Sequence, residues 1–258
     1  MALRSLRFLK LILIGILLPQ LTLAQNPNTH LQNKDAVLQV AVASNFRPVI
    51  QKLAPIFADK TGIKIIWTSA SSGAIYSQIM QGAPIDVFLS ADSDKPLKLI
   101  QNNLAQKDSL ITYAVGKLVW YQPGLQGNPF AKNKTFQSRI VFANPKIAPY
   151  GKAALEVMQS LKLKSIFFQK KIETMNILQA FQYIQTGNVA AGFVSYSQII
   201  QQGIKKGYWL IPDQWHHPIE QQAVIIKNHK KALSKTFLEF LLSDPSQEII
   251  QDMGYLSR

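Results

Sequence analysis

The chain has 258 residues, 47% of them hydrophobic, which is enough apolar material for one or two packed cores. Its 28 lysines and arginines against 14 acids give a formal charge of +14, and it contains no cysteine. Disulfides, thiolate metal sites, a cysteine nucleophile and a lipidated N-terminal cysteine are thereby excluded.

Arg4, Arg7 and Lys10 precede a short apolar run at 11–18, and Thr22 and Ala24 stand before Gln25. That order predicts a secretory signal peptide over 1–24, cleaved after Ala24. No later run reaches the roughly 18 apolar residues that a membrane helix needs. The expected product is soluble and exported, and a bacterial periplasm suits a cysteine-free, unanchored chain. Export argues against nucleic acid as a partner, and the basic residues are scattered rather than massed. The charge therefore predicts solubility and the steering of a small anion.

Residues 26–35 read as a disordered lead-in. A buried strand is expected over 37–43, ending at Ser44 and Asn45. The next helix carries Val49, Ile50, Leu53, Ile56 and Phe57 on one face, has Pro48 in its first turn, and should kink at Pro55. A strand at 63–68 leads into the turn Ser69-Ala70-Ser71-Ser72-Gly73 and a helix at 74–81 ending at Gly82. A third strand spans 85–90, and residues 92–94 cap a helix reaching about 103. Three strand-turn-helix units in succession predict a parallel α/β sheet.

The second half predicts one strand at 115–121, a polar loop to 138 and a strand at 139–143. A turn holding Pro149-Tyr150-Gly151 and a helix at 152–161 follow. A helix beginning at Ile177 ends at Gly187, a short strand covers 190–194, and a helix runs to Gly203. One further strand at 221–227 and helices at 233–242 and 245–253 complete the chain. The predicted fold class is α/β with two lobes. Lobe 1 takes 36–112 and 220–258, lobe 2 takes 113–219, and crossovers lie near 112 and 220. A ligand cleft is expected between the lobes, at the carboxyl ends of the strands.

Four turns stand directly before predicted helices: Ser44-Asn45, Ser71-Ser72-Gly73, Pro149-Tyr150-Gly151 and Asn176-Ile177. Three of them follow a predicted strand. They offer hydroxyls, amides and backbone N–H groups and contain no carboxylate. A helix start presents unpartnered N–H groups and the positive end of a dipole. A serine at such a place also serves as an ordinary N-cap. Taken together, the four turns suit a fully ionised, all-acceptor ligand, which a carboxylate would repel. Tetrahedral oxyanions such as molybdate, tungstate and sulfate meet that description. Phosphate, which keeps a proton on part of its population, would want an acceptor.

The segments Ala41-Val42-Ala43-Ser44-Asn45-Phe46, Ser71-Ser72-Gly73, Gln81-Gly82-Ala83-Pro84-Ile85-Asp86-Val87-Phe88-Leu89-Ser90-Ala91-Asp92, 144–151 and 186–197 together resemble the periplasmic molybdate-binding proteins of ABC transporters. The resemblance covers the chain beyond the leader end to end. It implies a type II periplasmic binding protein fold, with capture of molybdate, and of tungstate as well, for delivery to an inner-membrane permease. The family's ligand contacts fall on Ser44, Ser72, Tyr150 and Ile177, with Asn45 matching a donor found in one branch. Ser44 and Ser72 would give hydroxyl and backbone donors, and Tyr150 and Ile177 backbone N–H groups. A tyrosine that many members place in the second lobe is replaced by Ser195, with Tyr196 next to it, so either is a candidate fifth donor. The resemblance implies a monomer, no catalytic residue and no cofactor.

Other residues invite other readings. Asp92 reads as a helix cap and Asp86 as a support of its loop. His216-His217 suggests a metal, but neighbours on a strand face opposite ways. Arg47 is expected to face solvent, and Tyr76, Trp120 and Trp209 to pack in cores rather than line a sugar pocket. The chain shows no G-x-S-x-G elbow, P-loop or H-E-x-x-H helix. The alternatives are a receptor for another oxyanion such as sulfate, a periplasmic α/β hydrolase, or a sensing module that reports to a membrane receptor.

Overall fold

The computed structural model describes residues 36–131, 139–163, 171–227 and 230–256. The expected signal peptide, the lead-in and the end of the polar loop before 139 lie outside them. Among the described residues no helix is long and apolar enough to cross a membrane.

Two five-stranded sheets build the fold. The first contains β1 (Val37–Ala43), β2 (Lys64–Ala70), β3 (Val87–Ser90), β4 (Ile111–Gly116) and β10 (Ile219–Ile225), in the order β2-β1-β3-β10-β4. Strands β1, β2 and β3 are parallel, and β10 runs against β3 and β4. The second contains β5 (Leu118–Tyr121), β6 (Ile140–Ala143), β7 (Lys171–Thr174), β8 (Ala191–Ser195) and β9 (Tyr208–Leu210), in the order β7-β6-β8-β5-β9. The α/β, two-lobed architecture is thus the observed one.

Lobe 1 is layered on both sides of its sheet, because alternate residues of a strand face opposite ways. Val40 and Val42 join the core under α1 (Arg47–Thr61) and the C-terminal helices, whereas Ala41 joins the core under α2 (Ser72–Met80) and α3 (Asp94–Gln101). Helix α1 keeps Pro55 in its interior on an exposed position and ends at Gly62 in the left-handed conformation. Lobe 2 packs α4 (Pro149–Ser160), α5 (Ile177–Gln185) and α6 (Tyr196–Gln201) around the second sheet, with Trp120 fully buried among Phe130 and Phe193. Helices α7 (Lys231–Leu242) and α8 (Asp244–Asp252) return to lobe 1.

The strand expected over 115–121 is two strands. Gly116 still pairs with Ile219 in the first sheet, and Leu118 already pairs with Ser195 in the second. The run reads as continuous because its residues from Leu118 on lie in the second lobe's core, while Tyr113 and Ala114 just before it lie in the first lobe's core. Lys117, its one charged residue, marks the passage. The second lobe, expected to begin at 113, therefore has its first strand at Leu118. Strands β7 and β9 were not expected, being four and three residues long and only partly buried. Helix α4 starts three residues before its expected start, taking in the Pro149-Tyr150-Gly151 turn.

Candidate functional site

All four turns sit at the carboxyl end of a strand. With β7 in place, Asn176-Ile177 follows a strand too. The turns converge where the lobes meet, and Ser44, Asn45, Ser72, Tyr150 and Ile177 line one small cavity with Ala43, Ser71, Ala91, Ala148 and Pro149. Its volume is about 10 Å³, room for about one water molecule. No lining residue carries a formal charge. Ser72 is fully buried and Asn45 is 1% exposed.

Local helix chemistry decides which donors face this space. Ser71 is the N-cap of α2 and its hydroxyl accepts the Ala74 N–H at 3.4 Å. Gly73 N–H goes to Ile147 O at 2.9 Å, so the first N–H of α2 left over is that of Ser72. Asn176 caps α5 in the same way, its Oδ1 accepting Gln179 N–H at 3.1 Å and leaving Ile177 at the helix start. In α4 the first residue is Pro149, which has no N–H, and Gly151 N–H is taken by Ala148 O at 2.9 Å. The donor left between them is Tyr150. Ser44 and Asn45 open the short 3₁₀ turn after β1. Three α-helix starts and a 3₁₀ start therefore present partial positive charge to one point.

The Ser72 hydroxyl is oriented by its own hydrogen bond. Its Oγ accepts Ala91 N–H at 2.9 Å, so its proton is left to donate. Asn45 is committed differently. Its Nδ2 donates to Gln221 Oε1 at 2.7 Å and to Tyr255 Oη at 3.0 Å, and its carbonyl accepts from Ser197 Oγ at 3.0 Å and Tyr255 Oη at 2.8 Å. What Asn45 has for a ligand is its backbone N–H.

Ser195 and Tyr196, the candidate fifth donors, do not line the cavity. Ser195 caps α6 through a reciprocal bond with Gln198 and shares a 3.0 Å hydroxyl contact with Ser197. The Tyr196 ring lies under Lys117 Nζ. Ser197, Asn45, Gln221 and Tyr255 instead form a buried polar cluster behind the cavity, tying both lobes to the crossover strand. A register shift between Gln221 and Gln222 in β10 sits at that cluster, and such an irregularity re-aims a side chain. Burial pushes the Tyr113, Tyr150 and Tyr255 phenols up, so they stay neutral through the physiological range. No local pattern points to Gln221, Tyr255 or Ser197, whose roles exist only once both lobes are assembled.

The other singled-out residues have structural partners. Asp86 is buried and accepts Gln39 N–H at 2.7 Å and Lys230 Nζ at 3.1 Å. Asp92 accepts Lys95 N–H at 3.0 Å, beside the start of α3. Arg47 is exposed, its guanidinium over Trp67. His216 and His217 follow a 3₁₀ turn rather than lying on a strand, and His217 faces Glu156 at 3.2 Å. Among the described residues no group of three His, Cys, Asp or Glu side chains is placed to hold a metal ion.

A wider groove adjoins the small cavity and shares Ala91, Ala148 and Pro149 with it. Its walls are charged, carrying Asp92, Asp94, Lys95, Lys152, Glu156 and Glu220. Burial pushes the Asp94 carboxyl up, but bonds from Lys98 and Lys95 outweigh it and hold the group below its usual value.

Residues 38–256 match the family described as bacterial extracellular solute-binding protein. The chain is 40% identical over 221 residues to the molybdate-binding protein ModA of Rhodobacter capsulatus, covering 84% of this chain and 87% of that protein. It is 39% identical over 228 residues to ModA of Azotobacter vinelandii, covering 85% and 90%. The solved structure of the Azotobacter vinelandii periplasmic molybdate-binding protein superposes with a TM-score of 0.81 at 37% identity, covering 86% of this chain and 99% of that one.

Proposed function

The chain belongs to the bacterial extracellular solute-binding proteins, which bind for transport and are not enzymes, and from that premise we propose that it captures molybdate. Tungstate, of the same charge and nearly the same size, is the second ligand of this reading. In it the protein works as a periplasmic monomer, leaves its leader at Ala24, and hands the oxyanion to an ABC transporter permease. Ser44, Asn45 and Ser72 hold the ion from lobe 1, and Tyr150 and Ile177 from lobe 2.

The observation that supports the proposal is the donor set: helix-start N–H groups and the Ser72 hydroxyl are left to donate, and no side chain lining the cavity is charged. Hydrogen bonds to a charged partner contribute roughly 1.5–3 kcal/mol each. Five such donors offset the cost of association and of stripping water from a dianion. A ligand that keeps a proton finds no carboxylate to accept it, so hydrogen phosphate is disfavoured. Because donors come from both lobes, one ion biases the hinge toward closure.

Thermal melting tests this reading. Ligand at a hundred times its Kd adds about 2.7 kcal/mol, which for a chain of this size raises the midpoint by roughly 5–11 °C. Molybdate and tungstate should give that rise while phosphate does not. No rise with molybdate would overturn the proposal.

A further inference from the structure

Gly73 is the second residue of α2, a position whose N–H has no partner inside the helix. Its N–H reaches instead across to lobe 2, donating to Ile147 O at 2.9 Å in the loop between β6 and α4. Among the described residues this is the one main-chain hydrogen bond that joins the lobes away from the crossover strands.

The backbone of Gly73 does not explain the glycine, since it lies outside the left-handed region and a helix start accepts any ordinary side chain there. The other lobe does explain it. A Cβ at 73 would stand 2.8 Å from Ile147 O, 2.9 Å from its Cα and 3.1 Å from its Cβ, and these are its three nearest neighbours. Both partners are held in place. Asn144 O accepts the N–H groups of Ile147 and Ala148 at 3.2 and 2.9 Å, and Asn144 Oδ1 accepts that of Lys146 at 2.9 Å. On the opposite side, Gly73 O accepts Ser77 Oγ at 3.1 Å behind the Ser71 cap. The nearest conflict of a methyl group at 73 is therefore with lobe 2, across the approach of the two lobes.

We propose that Gly73 is a positioning residue for ligand capture, a latch whose N–H and missing side chain together let α2 and the Ile147 loop meet, with or without the oxyanion. The latch rests on the receptor reading only for its effect on affinity. Its partner is the opposite lobe rather than the ligand, which separates its role from that of Ser72, one residue before it.

The absence of native cysteine allows clean labelling. Spin labels at Gln101→Cys in α3 and Gln159→Cys in α4, both exposed, report the separation of the lobes. The same labelled protein carrying Gly73→Ala should show a smaller short-distance population in buffer. Its molybdate affinity by calorimetry should fall about tenfold to a hundredfold, the range set by a small overpacking cost on the closed state. A second measurement needs no variant at residue 73. In the unsubstituted protein the Gly73 amide should exchange slowly with solvent, unlike an unpartnered helix start. If molybdate neither binds nor stabilises while the Gly73 amide is protected and the buffer distances differ, the ligand reading fails and the latch stands. A Gly73→Ala protein that closes and binds as the parent does overturns the latch. So does a Gly73 amide that exchanges freely both in buffer and with molybdate.

Discussion

The small cavity and the wider groove beside it are neighbours with opposite chemistry. The cavity, lined by the buried residues Ser44, Asn45, Ser72, Tyr150 and Ile177, has no charged side chain. The groove holds Asp92, Asp94, Lys95, Lys152, Glu156 and Glu220. Burial accounts for the contrast. A fixed charge among these buried residues would need a partner when no ligand is bound, whereas neutral dipoles from helix starts do not. In the groove, water screens the charges, so both signs stand side by side at little cost.

The contrast is broken most severely by moving a carboxylate inward. Ser72→Asp puts a negative charge against the dianion; unit charges 4 Å apart at an effective dielectric near 20 repel by about 4 kcal/mol, roughly a thousandfold in affinity. Calorimetry should detect no molybdate binding at micromolar protein. Next comes the polar cluster behind the cavity. Asn45→Ala leaves Gln221 Oε1 without its donor in a buried site, a loss of about 2–3 kcal/mol. Heating ligand-free protein should show a midpoint roughly 4–12 °C lower.

Ser72→Ala removes a donor and frees the Ala91 N–H without adding charge. Its molybdate Kd should rise at least about tenfold, and an unchanged Kd would remove that hydroxyl from the site. The smallest effect belongs to the groove. Lys152→Ala should alter the equilibrium affinity less than about threefold, with the association rate and its salt dependence as the parameters that move. Affinity should also stay level from about pH 6 to 9, because Tyr150, the one residue with a titratable side chain among those lining the cavity, has its phenol pushed further up by burial. A titration midpoint inside that window would mean a charged group reaches the ligand.

The elements that position the cavity were legible because they obey local rules. The buried run 37–43 and the Ser71 cap announce themselves through hydrophobic pattern and turn chemistry, and each matches the structure to within a residue or two. The turn Pro149-Tyr150-Gly151 was expected before the helix at 152–161, yet α4 takes that turn in, since proline is well suited to a first helical position. What the pattern could not show depends on two distant segments meeting. The division of the run 115–121 between two sheets is of this kind, as are the Asn45 bond to Tyr255 some 210 positions away and the close approach of Gly73 to Ile147. Asn45 is the instructive residue: its place at the cavity follows from the strand end, while the use of its side chain follows from the far end of the chain.

The most direct test of the account is a crystal structure of the protein grown with molybdate, with anomalous data collected on both sides of the molybdenum edge. The account predicts a single strong anomalous peak in the small cavity, within hydrogen-bonding distance of Ser44, Ser72 and the backbone nitrogens of Tyr150 and Ile177. A peak in the charged groove among Lys95, Lys152 and Glu156, or none between the lobes, would contradict it.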